Sequence, residues 1–173
     1  MSNPNTAEKK YREKYADRKL EVMKWCGLAM IAIIIVFVLF TFIFGISEVS
    51  GDSMWPTFKS GQRVLYLRTT KNYERGDVVV VKMPGGDEYI KRIAGVPGDT
   101  IDIKDGVVYV NGVAESGDYT INGETTVEAT STEYPMTLGR NEYYVLGDNR
   151  PVSVDSRAFG SVVLGQLRGR VIG

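Results

Sequence analysis

Among its 173 residues the chain has no histidine. A Ser-His-Asp triad, a Cys-His pair and any histidine-based metal site are therefore excluded. Its one cysteine, Cys26, has no partner for an intrachain disulfide and lies inside an apolar run, where it makes a poor nucleophile. Any base that activates a nucleophile here must be lysine, a carboxylate or tyrosine. Net charge is also missing, since 21 Lys and Arg balance 21 Asp and Glu. The balance is uneven: residues 1–24 hold seven basic residues against four acids, so a basic tail precedes a slightly acidic remainder. That distribution argues against nucleic-acid binding through a broad positive field.

What the chain does have is a long uncharged run over residues 25–47, with an aliphatic and aromatic core at 31–44. At about 1.5 Å per residue, a helix of that length crosses a hydrocarbon core of about 30 Å. A cleavable signal peptide fits less well, because the run exceeds an h-region of roughly 7–15 residues. The run reads as a transmembrane signal anchor at the cell membrane, with the lipid bilayer as its partner. The basic excess before it places residues 1–24 in the cytoplasm and 48–173 outside, in a single pass. Residues 1–24 are a solvated tail or a surface helix, with Glu and Lys at helical spacing.

Beyond residue 47 the chain is long enough for one core and reads as β throughout. Residues 63–67 alternate, while 77–83 form a continuous apolar strand that a Pro-Gly-Gly-Asp turn joins to 88–93 as a hairpin. Asp105-Gly106 and Asn111-Gly112 are turn signals on either side of another strand. Residues 113–133 are rich in Thr, Ser, Glu and Gly and predict an exposed excursion. Strands follow at 142–146, 161–164 and 169–172, with a short helix expected around 153–159. Many short strands at close spacing predict a mainly β fold, a coiled antiparallel sheet or barrel, preceded by the one transmembrane helix.

Three stretches carry groups suited to catalysis. Ser53 follows a glycine turn and precedes Met-Trp-Pro-Thr. Gly-Asp-Ser is also a common turn, so the serine alone is as readily structural. Lys91 sits mid-strand between Ile90 and Ile93, with Tyr89, Lys91 and Ile93 on one face and Ile90 and Arg92 on the other. Buried there, its amine loses charge readily and becomes a base for Ser53; at a sheet edge it merely snorkels. The third stretch, residues 147–160, holds Ser153 to bond the amine and Asp155 with Arg157 as an orienting ion pair. Asp148, Asn149 and Arg150 would pin the loop. An acid-only metal site at Asp148 and Asp155 is weak, because arginines flank both.

Four segments stand in order: Ser-Gly-Asp-Ser-Met-Trp-Pro-Thr-Phe at 50–58, Arg-Gly-Asp-Val-Val-Val at 75–80, Tyr-Ile-Lys-Arg-Ile-Ala-Gly-Val-Pro-Gly-Asp at 89–99, and Gly-Asp-Asn-Arg-x-x-Ser-x-Asp-Ser-Arg-x-x-Gly at 147–160. Together they resemble the boxes of the bacterial type I signal peptidases, in the single-anchor Gram-positive form. The resemblance implies that Ser53 is the nucleophile, Lys91 the general base and Ser153 the residue that orients the lysine. Asp155 and Arg157 would support them, and Asp148 would hold up the loop. It implies a mostly antiparallel β fold with a smaller variable β insertion, at about 100–145. It further implies removal of signal peptides from secreted preproteins after a small-x-small site, usually Ala-x-Ala, through an acyl-enzyme and without metal or organic cofactor. Val49, Met54, Phe58, Tyr89 and Ile90 would line the small pockets for the residues at −1 and −3.

Position 51 is glycine where some members have a serine that helps stabilise the oxyanion, which leaves the Ser53 backbone N–H as the main donor. Five residues separate the anchor's expected end from Ser53, so at no more than ~3.6 Å per residue the hydroxyl lies within about 20 Å of the bilayer surface. The related Ser/Lys self-cleaving repressors are soluble and carry a DNA-binding segment, which the apolar run at 25–47 opposes. The penicillin-binding type of Ser/Lys enzyme is opposed by the lack of any serine followed by lysine three positions on. An inactive membrane-anchored β module that binds secreted proteins is the rival from another class.

Overall fold

The computed structural model describes residues 4–115 and 133–172. Most of the excursion expected at 113–133 lies outside the described residues. The described chain falls into two compact units, which divide after Phe42.

The first unit is helix α1 (Pro4–Ile43), 40 residues in one piece. Its segment Glu8–Ile43 is long and apolar enough to cross a membrane, and none of its most apolar window is buried by protein. The helix therefore includes the charged tail instead of starting at residue 25. It also ends four residues before the apolar run does. Residues 44–47 leave the helix to pair with residues 64–67, and Gly45 there lies against the Tyr66 ring, where an added Cβ would stand 2.2 Å from a ring carbon.

The second unit is built on β1 (Phe44–Glu48), β2 (Arg63–Leu67), β3 (Val78–Lys82), β4 (Glu88–Gly95), β5 (Thr100–Lys104), β6 (Val107–Val110), β7 (Val113–Ala114), β8 (Met136–Thr137), β9 (Glu142–Leu146), α2 (Ser156–Phe159), β10 (Val162–Val163) and β11 (Leu167–Ile172). Seven strands make one curled antiparallel sheet in the order β1-β2-β11-β3-β4-β9-β10, and four make a smaller sheet in the order β7-β6-β5-β8. The fold is mainly β, with a second small sheet and an N-terminal apolar helix, as the strand pattern led one to expect. The insertion is narrower than expected: the small sheet closes at Thr137, and β9 belongs to the large one.

Turn chemistry fixes the registers. Asp105, Gly106, Asn111 and Gly112 all have positive φ, the pair of left-handed residues that a type I′ hairpin turn requires. The β3–β4 hairpin pairs Val78 with Arg92 and Lys82 with Glu88. Successive residues of a strand face opposite sides, and Val79, Val80 and Val81 are all fully buried, so the large sheet is covered on both faces. Val79, Val81 and Ile93 join Tyr143, Val145 and Val162 on one side; Val80 and Ile90 join Val49, Met54, Phe58 and Tyr66 on the other. A third cluster, with Ala94, Tyr144 and Leu146 against Ile101, Val108 and Leu138, seats the small sheet on the large one. Arg75 and Asp99, paired at 2.5 and 2.7 Å, tie the turn before β3 to the turn before β5.

Candidate active site

The Ser53 loop leaves β1 and returns to β2, closed by Val49 N–H donating to Gln62 O and Gly61 N–H to Val49 O, both at 2.8 Å. Gly51, at φ +75°, makes the turn that aims the serine outward. One helical turn follows, with the Phe58 N–H donating to Met54 O at 2.9 Å. Met54 and Phe58 drive into the core beside Ile90 and so fasten the loop to β4. The Ser53 backbone N–H donates to no group among the described residues.

Lys91 stands in the middle of β4, opposite Val79. It is 4% exposed, and its Nζ donates to Ser53 Oγ at 2.7 Å. The edge-of-sheet alternative for this lysine is thereby set aside. The amine also lies 5.7 Å from the Tyr89 ring centroid. Burial among apolar groups pushes its pKa down to about 8; Asp155 opposes this, Arg157 adds to it, and Asp148 opposes it.

The loop from Gly147 to Arg157 wraps this pair. Asp155, fully buried, accepts from Arg157 at 2.8 and 2.9 Å and from the Gly147 N–H at 3.0 Å, and it caps α2. Arg157 in turn donates to Arg150 O and Ser153 O. Asp148 accepts from Arg92 at 2.8 and 2.6 Å and from the Thr57 hydroxyl. The Asn149 N–H donates to Ser53 O at 2.9 Å, and its side chain donates to Asp52 O.

Ser153 is brought into this loop but not onto the lysine. It is 9% exposed, and its hydroxyl has no hydrogen-bond partner among the described residues. Gly147 explains how the serine fits: an added Cβ there would meet Ser153 Oγ at 2.2 Å and Ser53 O at 2.6 Å. Only glycine lets the loop approach the nucleophile so closely.

Two hollows meet at the Ser53–Lys91 bond. The larger, about 340 Å³, is lined by Val49, Ser50, Ser53 and residues 87–91. The smaller, about 210 Å³, shares Ser50, Ser53, Tyr89 and Lys91 and adds Gly51, Asp52, Val152 and Val154. Of the expected pocket residues, Val49, Tyr89 and Ile90 line the larger hollow, whereas Met54 and Phe58 lie behind it in the core. Asp148 and Asp155 are both committed to guanidinium groups. Among the described residues no cluster of three or more Cys, Asp and Glu is placed to hold a metal ion.

Asn149 pins the loop as expected, whereas the sequence pattern does not by itself assign Arg92, Thr57 or Gly147 to these contacts. The available signal was the tandem Lys91-Arg92 inside an otherwise apolar strand, two cations that both require partners.

The family model described as "Signal peptidase, peptidase S26" matches residues 22–172. The chain is 36% identical over 170 residues to signal peptidase IB of Staphylococcus aureus (strain COL), covering 88% of each chain. To signal peptidase I of Bacillus licheniformis it is 33% identical over 157 residues, covering 84% of this chain and 83% of the other. The crystal structure of a signal peptidase I from Enterococcus faecalis V583 superposes with a TM-score of 0.51 at 34% identity, covering 61% of this chain and all of that one.

Proposed function

Because the chain belongs to the signal peptidase family, peptidase S26, and is thus a serine protease that removes signal peptides, we propose that Ser53 is its nucleophile and Lys91 its general base. The observation that carries this reading is the 2.7 Å bond between Ser53 Oγ and the buried Lys91 amine. With its pKa pushed down to about 8, the amine is substantially neutral near that pH and can take a proton.

In the neutral state the Ser53 hydroxyl donates to Nζ. The oxygen attacks the scissile carbonyl carbon while its proton passes to the amine. The resulting oxyanion is held by the Ser53 N–H, which has no other acceptor among the described residues. Collapse breaks the C–N bond, and the ammonium of Lys91 returns its proton to the departing amine. Neutral again, Lys91 takes a proton from water as its oxygen attacks the acyl carbon; the ester C–O bond then breaks, the signal peptide leaves with its new carboxyl group, and Lys91 returns the proton to Ser53 Oγ. Asp155 and Arg157 hold the loop around the lysine, Asp148 holds it to β4, and rotation of the unpaired Ser153 hydroxyl would let it orient the amine.

Substrates are preproteins with signal peptides. We assign the larger hollow, walled by Val49, Tyr89 and Ile90 with Met54 and Phe58 behind, to the small side chains at −1 and −3 of an Ala-x-Ala site. The enzyme is membrane-anchored, with the apolar helix as anchor. The basic excess at residues 1–24 orients it with that tail in the cytoplasm and the sheets outside.

The test is cleavage of a preprotein bearing an Ala-x-Ala site by purified protein in detergent, beside Ser53→Ala and Lys91→Ala. Cleavage after the second alanine by wild type alone is expected. Cleavage that survives in Lys91→Ala would overturn the base assignment.

A further inference from the structure

The smaller hollow has no role in the reading above. It borders the nucleophile on the Gly51–Asp52 side, and its far wall is Val152 and Val154. These valines are 59% and 56% exposed, whereas Ser153 between them is 9% exposed and Asp155 after them is fully buried. The backbone at Ser153 is extended (φ −90°, ψ 126°), so alternate side chains point the same way. Inward go the polar groups that build the site; outward, toward the hollow, go two isopropyl groups. Both occupy unspecified positions of the Gly-Asp-Asn-Arg-x-x-Ser-x-Asp-Ser-Arg pattern, so the loop's construction does not demand valine at either. Exposed aliphatic carbon beside a reactive hydroxyl is stabilised only when something apolar covers it.

We propose that Val152 and Val154 form a specificity site for the leaving side of the substrate, selecting apolar side chains at the first two residues of the mature protein. This rests on the preceding assignment of the larger hollow to −1 and −3. A substrate that fills that hollow and presents its scissile carbonyl to Ser53 meets the other hollow with the residues beyond the cut. An extended chain advances about 3.3 Å per residue, so the first two of them span the wall that the valines make. An aspartate there loses hydration against aliphatic carbon, in a hollow that already holds the Asp52 carboxylate beside the Lys91 amine. A valine or leucine covers both isopropyl groups. The same hollow is the exit for the new amino terminus, so its apolar wall discriminates while that amine is still being formed.

The experiment uses the full-length protein in detergent and preproteins identical through −1 that carry Val, Ser or Asp at +1 and, separately, at +2. Wild type is expected to favour Val over Asp by about tenfold in kcat/KM at one or both positions. In the double variant Val152→Thr, Val154→Thr, which keeps side-chain shape, the preference should shrink to about twofold. Its discrimination between Ala and Leu at −1 should be unchanged. Equal cleavage of the Val and Asp substrates by wild type overturns the site while leaving Ser53 and Lys91 in place. So does a preference that the double variant retains. A double variant that loses −1 discrimination as well shows the valines to be structural and overturns it too. If wild type cuts none of the preproteins, the underlying reading fails with it.

Discussion

Asp155–Arg157 and Asp148–Arg92 flank the same lysine and look alike on paper, each a carboxylate held by two guanidinium nitrogens. They are built for different tasks. Asp155 and Arg157 are two residues apart, and they also bond to Gly147, Arg150 and Ser153 of the same loop. Their side chains are 0% and 4% exposed. Asp148 and Arg92 are 56 residues apart and bring that loop to β4, with Thr57 adding the segment after the nucleophile. Arg92 retains 12% exposure. One pair is an internal skeleton that gives the loop its shape, and the other is a clamp that docks the finished loop. A skeleton cannot be loosened without loss of the loop, whereas a clamp can.

Replacing Asp155 by Asn should separate the two roles most sharply. Arg157 would be left charged and buried without its counter-ion, at a cost of about 3–5 kcal/mol, visible as a large drop in the denaturation midpoint. Asp148→Asn should cost less, about 2 kcal/mol, because Arg92 can turn partly to water. That variant should remain folded and lose activity by misplacing the loop, and unfolding curves beside cleavage assays would reveal the split. Arg92→Lys should be milder still, about 1 kcal/mol, since a point charge replaces a fork but keeps the attraction. An Asp148→Asn variant as unstable as Asp155→Asn would erase the distinction between skeleton and clamp.

The smallest effect is the most diagnostic. With Lys91 required neutral and its pKa near 8, wild-type cleavage should rise with pH through about 8. Asp148 raises the lysine pKa, so its removal makes the amine easier to deprotonate and moves that limb to lower pH. A pH–rate profile of Asp148→Asn whose limb moves upward would contradict the placement of this charge.

The same distinction decides what was legible in the sequence. The skeleton could be read, because Asp-Ser-Arg is local and its partners lie within ten residues. Composition left Ser53 and Lys91 open, the serine as readily a turn residue and the lysine as readily at a sheet edge; the four segments taken together singled them out, and the fold brings them within 2.7 Å. The clamp was hidden, since alternation assigns Arg92 a face but not the loop that will cover that face. Ser153 was read as the lysine's partner and is found beside Gly147 with its hydroxyl unpaired, a matter of side-chain rotation that spacing does not encode. Hydropathy counts Phe44 and Ile46 alike in lipid and in a strand, so nothing in the apolar run marks the end of the helix at Ile43. What separates the two is the contact of Gly45 with Tyr66, a residue 21 positions away.

In the large sheet, β11 lies between β2 and β3, although it follows every other strand in chain order. The strands around the nucleophile, β1 and β2, and those around the base, β3 and β4, are thus joined edge to edge only through residues 167–172. The fit is close, for Gly169 passes Leu67 O with no space for a side chain. On a ribosome this geometry acts as a clock. The serine is made first and the lysine soon after, but the sheet that joins β2 to β3 waits for β11 to emerge, and pairing across such separations is slow. A protease whose substrates are themselves newly made chains thus completes its own large sheet only after residues 167–172 have been made.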